Sequence, residues 1–379
     1  MIVQICPKLN IGGVERGVVD LAIYLKDRGV DNIVISDGGV LQPELEKKAV
    51  FHCKLPLYSK NPYIFLINLY RLKKVLHIHP IQLILVYSRI PCWLLFCLKP
   101  ILKVPVVTHC LGIHRMGWFG LKKLYNASVV SGDWVVANSE FTKQYFVNIY
   151  PTVAKKITVV PRSVDLLRYN QLAMKSLQLA EIRSAWKIPN NKRVLLMPAR
   201  FTYWKGHEIL LQALDILKRR GCLIYYTILL GDYAENKSCY KKLQNKIKIF
   251  GLQDKVYFAG KIINQPEAYF ISDIVVVPST QPEAFGRTVI EAQAMGRIVV
   301  ASAHGGVIEN IEDGVTGFLF TPGDANALAD TLERVSSLNA QELAKIGDLA
   351  TKSVEKFEKK TVGNQVKLLC KEVITKFSH

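Results

Sequence analysis

Two basic side chains in the second half of the sequence, Arg200 and Lys205, have the types and spacing to stabilise an anion. They follow a predicted strand at residues 194–199 and precede a helix predicted to begin at His207. The carboxyl end of a parallel strand is the usual ligand edge of an α/β sheet, and a helix N-terminus favours negative charge. A guanidinium and an ammonium group there could stabilise the charge developing on a departing diphosphate without a metal ion. An ordinary pair of surface cations is the alternative interpretation.

Two glutamates, Glu283 and Glu291, lie eight residues apart around the start of another predicted helix. Glu283 falls in the loop after a predicted strand at residues 274–278, whereas Glu291 lies inside the helix. This element offers a carboxylate for sugar hydroxyls, backbone N–H groups for phosphate and a second carboxylate for ribose. We predict that four residues between the glutamates also contribute to binding such a ligand: Phe285, Gly286, Arg287 and Thr288. A helix with an acidic first turn is the alternative.

A glycine pair in the first half, Gly12 and Gly13, lies between the first predicted strand and the first predicted helix. Glycines at this place let backbone N–H groups approach a phosphate, although a simple tight turn would also use them. The dinucleotide fingerprint G-x-G-x-x-G is absent, because Val14 occupies its second glycine position. A hydride-transfer enzyme therefore loses its main support.

Strands and helices must position these residues, and both types are predicted along the chain. Apolar runs of strand length, such as residues 83–87, alternate with amphipathic runs of helix length. This pattern predicts an α/β fold with parallel sheets covered by helices on both faces. A chain of 379 residues is too long for one ordinary core and suits two domains. We predict a Rossmann-like domain at residues 1–168, a linker at 169–190, a second Rossmann-like domain at 191–355 and a C-terminal helix at 356–379 that returns toward the first domain.

Positive charge is concentrated in the first half of the chain, and the net charge of the whole sequence is +19. Between Lys47 and Gly132 there are 13 Lys and Arg residues and no Asp or Glu. Such a stretch predicts a face that meets something anionic, such as a membrane surface, a phosphorylated lipid or nucleic acid. An ordinary solvated surface is the alternative. Trp93, Trp118 and Phe119 are predicted interfacial contacts within this stretch.

Several classes of protein find no support in the sequence. The eight cysteines form no C-x-x-C pair and no zinc-type cluster, which predicts reduced thiols in a cytosolic protein. The amino terminus lacks the pattern of a signal peptide, and the most apolar stretch, residues 81–107, is broken by charges and prolines. No D-x-D motif is present, so the ligands of a divalent-metal clamp are missing and we expect no metal site.

Together these motifs resemble the donor-binding domain of the GT-B-fold, family 4 retaining glycosyltransferases of group 1, a family that includes lipopolysaccharide core glycosyltransferases. The residues that carry the resemblance are Arg200, Lys205 and Gly206, then Gly231 and Asp232, the stretch from Glu283 to Glu291, and Gly314 and Gly317. The first half resembles the family less specifically, through Gly12, Gly13 and the stretch VVTHCLG.

The resemblance implies two Rossmann-like, doubly wound domains that face each other across a cleft, with the donor held mainly by the second. It implies that Arg200 and Lys205 hold the diphosphate, that Glu283 orients the donor sugar and that Glu291 binds the ribose. Gly12, Gly13 and Asp232 are expected to contribute to donor binding. His109 matches the first-domain histidine that lines the donor sugar in the family.

Two departures from the family pattern concern the donor site. Tyr203 and Trp204 stand where many members have a shorter or more polar pair. Asp232 is followed by Tyr233, Ala234 and Glu235 instead of the common Gly-Pro, which leaves recognition of the nucleotide base open.

We therefore expect a metal-independent, retaining hexosyltransferase that needs a nucleotide diphosphate sugar and no other cofactor. GDP-mannose, UDP-glucose and UDP-N-acetylglucosamine are the candidate donors, and the overall resemblance favours mannose. The expected acceptor is a membrane glycolipid such as a lipopolysaccharide core. The expected location is cytoplasmic, peripheral on the inner face of the cytoplasmic membrane, where the basic stretch would meet an anionic surface.

Three other functions stay open at this point. A GT-B-fold epimerase or phosphorylase would release a free sugar or a sugar phosphate, and no lysine stands out as the pyridoxal anchor of a phosphorylase. A non-catalytic polyanion or nucleic-acid binder would use the basic first half and show steeply salt-dependent binding. Such a binder has no physical need for the donor constellation, so we expect no nucleic-acid partner.

Overall fold

The computed structural model describes residues 1–10, 12–59, 61–113, 121–174, 176–190, 192–261 and 265–377. The chain divides into two compact units, one formed by Met1–Ser163 with Lys359–His379 and the other by Val164–Glu358. Each unit contains one sheet, and the paired strands of both sheets run parallel. The predicted α/β class with parallel sheets is confirmed.

The first unit contains a seven-stranded sheet of order β3-β2-β1-β4-β5-β6-β7. Its strands are β1 (Ile2–Ile5), β2 (Asn32–Ser36), β3 (Phe51–Lys54), β4 (Leu83–Tyr87), β5 (Val106–Cys110), β6 (Trp134–Ala137) and β7 (Ile157–Val159). The order reverses between β1 and β4, so the loops after these strands diverge there and leave room for a ligand.

Helices cover both faces of this sheet, which explains why its central strand, β4, is a continuous apolar run. The helices are α1 (Gly13–Lys26), α2 (Gln42–Lys47), α3 (Pro62–Ile78), α4 (Arg89–Leu98), α5 (Leu121–Ala127), α6 (Glu140–Ile149) and, from the end of the chain, α14 (Lys359–Phe377). One apolar cluster joins the sheet to α3, α4 and α6, and a second joins it to α1, α2 and α14.

The second unit contains a six-stranded sheet of order β10-β9-β8-β11-β12-β13. Its strands are β8 (Arg193–Pro198), β9 (Tyr225–Leu230), β10 (Val256–Gly260), β11 (Ile274–Val277), β12 (Ile298–Ser302) and β13 (Phe318–Phe320). The strand order reverses between β8 and β11, which makes these two strands neighbours although β9 and β10 lie between them in the chain.

The helices of the second unit are α7 (Ser176–Ala185), α8 (His207–Arg219), α9 (Lys237–Ile249), α10 (Gln265–Phe270), α11 (Arg287–Ala294), α12 (Ala325–Ser337) and α13 (Ala340–Ser353). Two apolar clusters lie on the two faces of its sheet. The loops after β8 and β11 leave the same edge of the sheet, and these are the loops that carry Lys205 and Glu283.

Residues 169–190, predicted as a linker, belong to the second unit. Tyr169, Trp186 and Ile188 are buried in its core, and the Tyr226 hydroxyl donates to the Trp186 carbonyl at 3.0 Å. A few large apolar side chains therefore anchor a stretch whose overall polarity is typical of a connection.

Candidate functional site

Lys205 and Glu283 form the centre of the candidate site in the second unit. The Lys205 Nζ lies 2.7 Å from Glu283 Oε1, and the Ser279 hydroxyl donates to the same oxygen at 2.5 Å. Lys205 also lies over the Trp204 ring, with Nζ 4.4 Å from its centroid. The structure thus brings together two predicted residues that are 78 positions apart.

Gly206 fixes the backbone between Lys205 and α8. Its φ of +81° lies in the left-handed region, and it is the N-cap of α8. A Cβ atom at this position would lie 1.7 Å from the Pro278 carbonyl oxygen, so only glycine lets the two loops approach so closely. The tight packing of these loops holds Lys205 beside Glu283.

Arg200, the second predicted cation, is exposed just after β8. Its backbone carbonyl accepts a hydrogen bond from the Thr202 N–H at 2.8 Å. Within the part of the chain that the structure describes, its guanidinium has no hydrogen bond or ion pair. Its donors are therefore available to an anionic ligand.

Glu291 is buried within α11, and both of its oxygens accept hydrogen bonds. Arg287 Nη2 donates to Oε1 at 2.7 Å, one helical turn away, and the Tyr269 hydroxyl donates to Oε2 at 3.0 Å. The two donors fix the orientation of the carboxylate. A carboxylate has about four acceptor positions, so these two bonds leave capacity for hydroxyl groups of a ligand.

The residues between the two glutamates form the entry to α11. Gly286 is the N-cap, with φ +83°, and a Cβ there would lie 2.8 Å from Val307 Cγ2. Phe285 is buried and packs edge-on against Phe357, with ring centroids 5.4 Å apart. Thr288 is half-buried in the first turn, where helical N–H groups lack intrahelical partners.

Asp232 follows β9, and its carboxylate accepts from the Ala234 N–H at 2.9 Å. This bond caps the short turn Tyr233–Asn236. Tyr233, which follows Asp232 where the common Gly-Pro would stand, stacks on Tyr240 of α9 with ring centroids 4.6 Å apart. The donor-binding role of Asp232 stays a prediction, and recognition of the nucleotide base stays open.

His207, to which the sequence motifs assign no role, is the first residue of α8 and is only 2% exposed. Its ring stacks on Phe201 at 4.8 Å, and both ring nitrogens are buried without a hydrogen-bond partner among the described residues. Burial, with a smaller contribution from Lys205, lowers the pKa of His207 to about 4. The ring is therefore neutral at neutral pH.

The first unit holds the remaining predicted residues. Gly12 is the N-cap of α1 in an extended conformation, with φ −172°, and Gly13 is the first residue of that helix. The Arg162 guanidinium donates to the Gly13 carbonyl. The donor-binding role of the two glycines stays a prediction.

His109 lies in β5 and is buried. Its Nδ1–H donates to the Val86 carbonyl at 3.2 Å, and its ring stacks on Tyr87 at 4.2 Å. Burial lowers the pKa of His109 to about 3, so the ring is neutral and Nε2 is its acceptor. It lines a cavity of about 70 Å³ with Tyr87 and Arg162. Its role toward a sugar stays a prediction.

The described residues can be compared with the predictions about metal binding and membrane contact. Among the described residues, no group of three His, Cys, Asp or Glu side chains could hold a metal ion, and no helix is long and apolar enough to cross a bilayer. Trp93 is half-buried and donates to the Tyr125 carbonyl at 3.0 Å. Trp118 and Phe119 lie outside the described residues.

Sequence reasoning missed two residues that contact predicted site residues, Ser279 and Tyr269, and a third, His304, that contacts Ser279. The His304 ring contacts the Ser279 carbonyl at 2.8 Å, next to the serine hydroxyl that donates to Glu283. Ser279 could have been found from its position after β11, at the ligand edge of the sheet. Tyr269 and His304 carry no motif signal.

Known families and solved structures are similar to both units of the chain. The model of the family described as Glycosyl transferases group 1 matches residues 179–353, and that of Glycosyltransferase Family 4 matches residues 11–168. A solved glycosyltransferase from Rickettsia africae ESF-5 is 32% identical, with 98% of both chains covered and a TM-score of 0.89. Anabaena HepE, solved with UDP and glucose, is 24% identical over 98% of this chain and 99% of that chain, with a TM-score of 0.85, and shares the fold.

A curated relative is the lipopolysaccharide 1,2-N-acetylglucosaminetransferase of Salmonella typhimurium. It is 29% identical over 206 residues, which are 53% of this chain and 52% of the relative. The chain spans about half the length of the curated relatives it matches.

Proposed function

Because this chain belongs to the group 1, family 4 glycosyltransferases, which have the GT-B fold, we propose that it transfers a hexose from a nucleotide diphosphate sugar to an acceptor. The observation that carries the proposal is the contact of Lys205 with Glu283 at the ligand edge of the second sheet. A cation and a carboxylate meet there, and Lys205 shares its loop with the exposed guanidinium of Arg200.

The two cations act on the leaving group. As the bond from the sugar C1 to the phosphate oxygen breaks, negative charge develops on the diphosphate, and Lys205 and Arg200 stabilise it. Lys205 is largely shielded from water, which strengthens its effect on a nearby charge. This proposed step needs no metal ion.

The two carboxylates bind hydroxyl groups of the donor. Glu283 accepts from hydroxyls of the sugar, and Glu291, held by Arg287 and Tyr269, accepts from the ribose. The helix N-terminus that begins at Gly286 lies between them in sequence and offers backbone N–H groups to a phosphate.

The transfer proceeds with retention of the anomeric configuration. The acceptor hydroxyl attacks C1 from the face that the diphosphate leaves, through an oxocarbenium-like state. The departing phosphate oxygen takes the hydroxyl proton, so no separate protein nucleophile is required.

The proposed acceptor is a membrane glycolipid such as a lipopolysaccharide core, reached at the inner face of the cytoplasmic membrane. The basic stretch between Lys47 and Gly132 supports an anionic membrane as partner. Mannose carried on GDP is the donor that we propose, with UDP-glucose and UDP-N-acetylglucosamine as the competitors to be tested.

Thermal-shift measurements with UDP, GDP and ADP sugars test the donor, because a ligand that binds only the folded state raises its apparent stability. Product analysis by NMR with the stabilising donor then gives the anomeric configuration, and parallel reactions with and without a chelator test metal independence. An inverted product contradicts retention, and loss of turnover with the chelator contradicts metal independence. Absence of any shift and of any transfer contradicts the proposed function.

A further inference from the structure

Helix α3 of the first unit has an unusual outer face. Residues at intervals of three and four positions point away from the core and are exposed; we call this set the α3 outer face, and it consists of Tyr63, Leu66, Tyr70, Lys73, Lys74 and His77. Its three large apolar or aromatic members are 72%, 62% and 60% exposed. The opposite side of the helix buries Leu72 and Leu76 in the core.

Single exposed apolar side chains are common on protein surfaces, but a row of them on one helix face marks an interaction site. Tyr63, Leu66 and Tyr70 occupy successive turns, so they form one continuous strip. Tyrosine has an apolar ring and a polar hydroxyl, which suits the boundary between water and an apolar phase.

Cations flank the strip. Lys73 and Lys74 are exposed, and Lys74 Nζ lies 4.7 Å from the centroid of the Tyr70 ring. Neither lysine forms an ion pair with a residue that the structure describes. The helix itself has no Asp or Glu, so nothing on it repels an anionic surface.

We infer that the α3 outer face docks this chain on an anionic lipid bilayer. Tyr63, Leu66 and Tyr70 enter the boundary between headgroups and acyl chains, and the two lysines interact with lipid phosphates. The inference rests on the proposed function in one respect: an enzyme whose acceptor is a membrane glycolipid must contact the bilayer. A charged strip mixed with apolar side chains favours a bilayer over nucleic acid, whose binding needs no exposed leucine.

Flotation of the full-length protein tests this inference with vesicles of phosphatidylcholine alone and of phosphatidylcholine mixed with phosphatidylglycerol. Leu66→Glu and the double variant Lys73→Glu/Lys74→Glu should each lower binding to the anionic vesicles by about tenfold or more. Wild-type protein should bind the neutral vesicles weakly.

Two control variants make the same types of substitution on other helices, so that an effect specific to α3 can be recognised. Leu368 on α14 is 66% exposed, like Leu66, so Leu368→Glu makes the same change on another helix of the unit. Lys241→Glu/Lys242→Glu on α9 makes the same change of charge in the second unit. Both controls should bind anionic vesicles within about twofold of wild type.

Equal binding to neutral and anionic vesicles, or equal losses in the α3 and control variants, overturns the inference. Loss of DNA or protein binding in the α3 variants with unchanged flotation also overturns it. Transfer to a detergent-solubilised acceptor distinguishes the two proposals: Leu66→Glu should retain wild-type turnover there. Wild-type flotation without transfer from any nucleotide sugar would instead contradict the proposed function and leave the docking face supported.

Discussion

Lys205 Nζ and Glu283 Oε1 lie 2.7 Å apart, with only 14% and 11% of the two side chains exposed. Since the two groups pair directly with each other, a diphosphate that binds here would compete with Glu283 for the ammonium group. Its binding would then free acceptor positions on Glu283 for sugar hydroxyls, which couples binding of the two parts of a donor.

Replacing the Lys205 ammonium should mainly lower turnover. Lys205→Ala removes the shielded positive charge that is proposed to stabilise the leaving group, and we expect kcat to fall about 100-fold or more. Steady-state kinetics with the donor identified by thermal shift measures the effect. Lys246, which pairs with Glu208 at 2.9 Å on a more exposed surface, provides the control, and Lys246→Ala should leave kcat within about twofold. Wild-type turnover in Lys205→Ala would rule out the charge role.

Gly206→Ala should destabilise the second unit more than the same substitution at a glycine with no neighbouring atoms around the new Cβ. The new Cβ would meet the Pro278 carbonyl oxygen at 1.7 Å, in addition to the cost of a positive φ. Gly221 has φ +73° and nothing within 4 Å of the place where a Cβ atom would lie, so Gly221→Ala isolates the backbone cost. That cost is about 1–2 kcal/mol. Thermal unfolding of both variants compares them, and equal losses would show that the close approach has no energetic role.

Tyr269→Phe should weaken recognition of the ribose through Glu291. The hydroxyl that donates to Glu291 Oε2 at 3.0 Å is lost, and we expect the donor KM to rise about 5- to 30-fold. Discrimination between a ribonucleotide donor and its 2′-deoxy analogue should fall as well, which a merely structural role would not produce. Tyr226, whose buried hydroxyl donates to the Trp186 carbonyl at 3.0 Å, is the control. Equal changes of KM and discrimination in Tyr226→Phe would contradict the positioning role.

The sequence predicts much of the fold because long apolar runs bounded by polar turns specify buried strands. Strands are predicted in this way at residues 83–87 and 274–278, and the structure has β4 at Leu83–Tyr87 and β11 at Ile274–Val277. The contact of Lys205 with Glu283 depends on β8 and β11 being neighbours, which is a property of strand order and leaves no local signal. The burial of Trp186 and Ile188, which makes the predicted linker part of the second unit, likewise depends on partners distant in sequence.

His207 should make the stability of the second unit depend on pH. Its pKa is about 4 in the folded protein and about 6.5 in an unfolded chain, so the unfolded state binds more protons between these values. Its contribution to stability is complete above about pH 6.5 and is lost as the pH falls toward 4, by about 2 kcal/mol at pH 5 relative to pH 8. His207→Phe keeps the stack on Phe201 and removes the titrating group, so melting temperatures between pH 8 and pH 5 should fall less steeply than in wild type. Parallel pH profiles for the two proteins would show that the buried imidazole does not titrate on unfolding.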